Sequence, residues 1–154
     1  MLDCLKENFP NFWQRINNGE LELYSFEPPR SEDKIKSIEE KLPLPKSYKS
    51  FLRCASGIWL EGPYIRMYNG YPFFFDDPRF DDVVCFGEYF LEADGDNVMF
   101  DVSQGLINGE YPVYYYAHDF AHDPDRGLRK LADSFKEWIE SLVGEIDIDD
   151  IDED

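Results

Sequence analysis

The chain has 154 residues, with 33 Asp and Glu against 15 Lys and Arg, for a net charge of −18 at neutral pH. That length holds one ordinary domain and no second, and 13 Phe, 10 Tyr and 3 Trp supply more buriable surface than a disordered acidic chain carries. An anionic exterior repels nucleic acid and acidic lipid and draws in basic macromolecules, so the expected partner is a basic protein, with no direct nucleic-acid and no membrane contact.

In the first thirty residues Phe12, Trp13 and Ile16 can share a helical face, while Leu21 and Leu23 alternate with glutamates as in a short strand. Ser31 is a good N-cap, Glu32 and Asp33 suit the positive end of a helix dipole, and Ile35, Ile38 and Leu42 recur at helical spacing until Pro43. A second helix is expected from Pro45, with Tyr48, Phe51, Leu52 and Ala55 on one stripe and Gly57 as a left-handed C-cap.

From Ile58 the period changes to two. Residues 64–68 and 71–75 flank Asn69-Gly70 and predict a hairpin. Further strands are expected at 83–86, 88–93, 98–102 and 111–116, with turns at 94–97 and Asn108-Gly109; Pro72 and Pro112 belong at sheet edges or strand starts. Ser134 and Glu137 have the spacing of a capping box, ahead of a helix whose face carries Leu131, Phe135, Trp138, Ile139 and Leu142 and which stops at Gly144. The run 145–154 holds seven acids; without them the body still carries −11. The domain is therefore expected to span 1–144, followed by a mobile acidic tail over 145–154.

Cys4, Cys54 and Cys85 are odd in number and lack C-x-x-C spacing, which predicts reduced thiols and a small packing role for Cys54. The N-terminal stretch lacks the basic and apolar regions of a secretory signal, so a cytoplasmic location is expected.

Chemistry has little to stand on. His118 and His122 have the spacing of a zinc-protease helix, but a tyrosine-rich strand precedes them and Pro124 follows, which favours a polar loop. Glu92, Asp94, Asp96 and Asp101 miss the calcium-loop pattern, with Gly at 95 and Ser at 103. Phosphate-cradling, dinucleotide and hydrolase-elbow motifs are absent from the sequence. No catalytic, metal-binding or cofactor-binding residue is assigned, and no enzyme activity or cofactor is expected.

What remains is surface. Alternation places Tyr64, Arg66 and Tyr68 on one sheet face and Ile65 and Met67 on the other, and the loop 76–82 combines Asp76, Asp77, Asp81 and Asp82 with Arg79 and Phe80. Tyr and Arg beside carboxylates are typical of protein interfaces, which makes these nine residues the candidate partner-binding set.

Read in order, four segments resemble the SMI1/KNR4 family, or SUKH superfamily. They are the helical pair from Ser31 with LPKSYKSFLRCASG at 44–57, DGDNVMFDV at 94–102, YPVYYYAHD at 111–119 and LADSFKEWIESL at 131–142. The glycines after the second helix are reduced to Gly57 and Gly62, and 71–82 has no counterpart. The resemblance implies an α+β fold, an antiparallel β-meander packed against N-terminal helices and one C-terminal helix. It also implies a non-enzymatic bacterial immunity protein, a monomer or weak dimer, that blocks a cognate basic toxin, frequently a nuclease, of a polymorphic or contact-dependent system. A regulatory or scaffold module without a toxin partner is the alternative.

Overall fold

The computed structural model describes residues 2–67, 73–74, 82–91, 93–120, 123 and 127–142. Two short helices come first, α1 (Leu2–Asn8) and α2 (Pro10–Asn17), with Pro10 in the first turn of α2, where no amide donor is missed. Edge strand β1 (Glu22–Glu27) leads to α3 (Glu32–Glu39), whose cap Ser31 accepts from the Lys34 amide, and then to α4 (Lys46–Leu52). The sheet continues with β2 (Gly57–Gly62), β3 (Tyr64–Met67), β4 (Phe73–Phe74), β5 (Val83–Tyr89), β6 (Asn97–Asp101), β7 (Val113–Tyr116) and β8 (Leu128–Ala132). Helix α5 (Phe135–Ser141) closes the described chain, its cap Ser134 accepting from the Glu137 amide at 3.0 Å. All pairings are antiparallel in the order β1-β2-β3-β5-β6-β7-β8, with β4 beside β5. This is the α+β meander that the resemblance implies.

The helices stack on one face. Ile58, Leu60, Ile65, Phe86, Phe100 and Tyr115 from the strands form a single core with Leu5, Phe12, Ile35, Tyr48, Phe51 and Phe135 from the helices. Phe135 is its hub, 0% exposed, with ring centroids of Tyr48 at 5.2 Å, Phe51 at 5.4 Å, Phe86 at 5.8 Å and Phe9 at 6.2 Å, mostly edge-to-face. Arg15 ties α2 to the end of α5, donating to the Glu140 and Leu142 carbonyls, each at 2.6 Å, where a helix end has unsatisfied acceptors. The Asn108-Gly109 turn has positive φ at both residues, and the Glu110 carboxylate beside it accepts from the Ser47 amide at 2.8 Å, capping α4 from a distance where Pro45 cannot.

Several expectations change. Among the described residues β3 pairs with β5 and not with Phe73–Phe74: Ile65, Arg66 and Met67 face Tyr89, Glu88 and Gly87, while Phe73 and Phe74 face Cys85 and Val84 further along β5. The long, almost wholly buried β5 outcompetes a local hairpin, and Gly87 is what lets β3 approach, since a Cβ there would stand 2.9 Å from the Arg66 carbonyl. Asn69-Gly70 and Pro72 lie outside the described residues. The segments expected as strands 83–86 and 88–93 are one strand ending at Tyr89, with a register shift between Cys85 and Gly87. Leu131 belongs to β8 and not to the last helix, and Leu142 is its C-cap. Helix α3 stops at Glu39, before Pro43, and Gly57 opens β2 without positive φ.

The cysteine expectation is also overturned. Cys4 and Cys54 form a disulfide, with Cα atoms 5.5 Å apart, that fastens α1 to the end of α4; Cys85 is free and buried. The two partners are 50 residues apart, so packing, not spacing, brings them together. Residues 145–154 and the end of the domain at Gly144 lie outside the described residues.

Candidate partner-binding face

The strands that turn Ile58, Leu60, Ile65 and Met67 toward the helices turn their alternate residues the other way. On β3 Tyr64 is half-buried and Arg66 exposed, opposite the two buried apolar residues. Register aligns Trp59, Arg66 and Glu88 in one row across β2, β3 and β5. The Arg66 guanidinium lies 5.1 Å from the Trp59 ring centroid, and register sets Arg66 opposite Glu88 on β5. In the next row Tyr64 faces Glu61, stacks on Phe90 at 4.2 Å and 13°, and donates from its hydroxyl to Glu88 Oε2 at 3.3 Å. Desolvation, then the negative charge of Glu88, raises the Tyr64 phenol above its ordinary pKa.

Toward the sheet edge Tyr24 of β1 leans over Trp59 at 4.4 Å and is itself 62% exposed. Beneath it the buried Trp59 indole N–H finds no acceptor among the described residues, a donor left unmet at a cost of about 1–3 kcal/mol. Toward the sheet centre the same face carries a smaller apolar cluster of Val83, Cys85 and Met99 with Tyr116 and Leu128 at its rim.

Of the nine residues singled out from the sequence, Tyr64 and Arg66 share this face, and Asp82 lies exposed just before β5, its carbonyl accepting from the Val102 amide at 2.8 Å. Tyr68, Asp76, Asp77, Arg79, Phe80 and Asp81 lie outside the described residues. Sequence reasoning missed Tyr24, Trp59, Glu88 and Phe90; the alternation of Ile58 and Leu60 with Trp59 and Glu61 is the signal that reveals the second of these.

The histidine segment is a fold element. Buried Asp96, 1% exposed, accepts from the amides of Ala93 at 3.1 Å and His118 at 3.0 Å and from the Tyr115 hydroxyl, and its Oδ1 lies 2.6 Å from His118 Nδ1. Asp119 stands 3.2 Å from the other ring nitrogen. His118 opens a single 3-10 turn, His118–Phe120, which fits a polar loop and not a long metal-binding helix; His122 lies outside the described residues. Asp96 turns inward to donors of its own chain, which is the opposite of what a calcium loop requires. Among the described residues no group of three or more His, Cys, Asp or Glu is placed to hold a metal.

A sheet with helices on one face and aromatic rings interleaved with carboxylates on the other is an α+β architecture. The chain belongs to the SMI1 / KNR4 family (SUKH-1), whose model matches residues 29–141. That family is in general one of non-enzymatic binding domains of the immunity-protein type. No curated protein matches the sequence. Among the described residues no helix is long and apolar enough to cross a membrane.

Proposed function

We propose that this chain is an immunity protein that binds and blocks a cognate basic toxin, of the nuclease kind, in a bacterial polymorphic or contact-dependent toxin system. It works as one domain with an acidic tail, without cofactor or catalysis. The observation that carries this reading is the pairing of SUKH-1 membership with a net charge of −18 and an open face of aromatic rings set among carboxylates. A nuclease must present cationic surface to hold phosphates, so an anionic inhibitor gains fast encounter and competes for the same surface that polynucleotide uses. Tyr64, Arg66, Glu88 and the rings around them supply the short-range contacts that keep the complex together once charge has brought it into register.

The test is to read the genes that flank this one, purify the toxin domain that the reading expects among them and mix it with the chain; flanking genes without one contradict the proposal. A one-to-one complex that abolishes toxin activity is expected. Full toxin activity at saturating chain, or turnover of a substrate by the chain itself, contradicts the proposal.

A further inference from the structure

We propose that β1 is a strand-addition site that accepts an extended, lysine- or arginine-bearing segment of a basic partner protein. This rests on the reading of the chain as a binder of basic proteins and names the backbone through which it binds. β1 is the first strand on the path of the sheet and pairs only with β2, so its outer row of amides and carbonyls has no strand partner among the described residues. Five of its six residues are exposed, including Tyr24 and Phe26, the latter 47% exposed. Exposed rings on an unpaired edge offer both the ladder and the side-chain contacts that strand addition uses.

Native edges are protected by charge, and here the protection has a sign. Glu22 and Glu27 bracket the strand, Glu61 lies on the adjoining one, and none of the three pairs with a cation among the described residues. Carboxylates in that position repel a second copy of a chain of net charge −18 and attract a cationic strand. Register sets the reach: shifts fall between Glu22 and Ser25, whereas Ser25, Phe26 and Glu27 face Trp59, Ile58 and Gly57 without interruption until Pro28 ends the ladder. An added strand therefore docks along Ser25–Glu27, beside Tyr24 and the Trp59 ring, at the border of the open face. All of β1 lies upstream of the residues that the family model matches.

The experiment uses the full chain and a short peptide alternating lysine with valine, alongside the same peptide N-methylated at alternate amides, at about 0.15 M salt, where screening shortens to about 8 Å. The readout is amide hydrogen exchange. The plain peptide is expected to slow exchange in β1 about tenfold or more, and the methylated one, with equal charge, to leave it unchanged. The double variant Glu22→Lys with Glu27→Lys is expected to lose the protection while its circular dichroism stays that of the parent. Equal binding of the two peptides, protection away from β1, no protection at all, or a free dimer that already protects β1 overturns the proposal. No toxin enters this experiment, so its failure is separable: a chain that silences its toxin yet takes no strand sinks strand addition alone, and one that takes the peptide but silences no toxin sinks the blocking role alone.

Discussion

The two faces of the sheet use the same residue types for different ends. Under the helices Phe86, Phe100, Phe135 and Tyr115 are fully buried; Phe135 meets Phe86 and Phe100 edge-to-face, those two stack, and Tyr115 meets Tyr89 edge-to-face, each contributing by its removal from water. On the open face Tyr24, Trp59, Tyr64 and Phe90 also touch ring to ring, but carboxylates and Arg66 stand among them and Tyr24 stays largely in solvent. The covered face holds the fold; the open one leaves aromatic surface unspent. The difference lies in the setting of the rings: apolar neighbours surround those under the helices, and charged groups stand among those on the other face.

Breaking the covered face has the largest effect. Phe135→Ala is expected to destabilise by about 3–5 kcal/mol, read as a lower denaturant midpoint at unchanged slope; an unmoved midpoint would mean that the hub of the core lies elsewhere. Opening the Cys4–Cys54 bond by replacing both residues with serine is expected to cost up to about 4 kcal/mol, since the bond closes a loop of some 50 residues. Equal stability of the parent with and without reductant would show that the bond does not form in solution. Asp96→Ala removes the acceptor shared by Tyr115, Ala93 and His118 and is expected to cost about 1–3 kcal/mol in thermal or chemical unfolding. The smallest effect belongs to the exposed Glu32–Arg53 pair, 2.6 Å apart, in which the hydrogen bond from Arg53 lowers the Glu32 pKa. Its contribution is present above the ordinary carboxylate range and fades as pH falls through the lowered value. Arg53→Gln should therefore leave neutral-pH stability almost unchanged and slightly flatten the acid limb of a stability–pH profile.

Local signals were legible in the sequence. Ser31 and Ser134 cap the helices that they announce, Tyr48, Phe51 and Leu52 face the core, Pro112 falls just before its strand, and Ile65 and Met67 point away from Tyr64 and Arg66. What was not legible depends on distant chain. Leu131 keeps helical spacing with Phe135 and Trp138, so β8 hides in the approach to α5 until β7 claims it through Tyr114, Tyr115 and Tyr116. The partner of β3 is set by Gly87 and the length of β5, against a strong local turn signal. The disulfide exists because α1 packs on α4, and Tyr24 joins Trp59 only through the irregular register of β1 on β2.

The central claim is that partner recognition belongs to the open, acidic face. The most direct measurement is a hydrogen-exchange footprint of the chain alone and bound to the cognate toxin domain that the proposal requires. Protection confined to β1, β2, β3 and the Glu88–Phe90 segment is the result expected. Protection over α3 and α4, with the open face still exchanging freely, would contradict it.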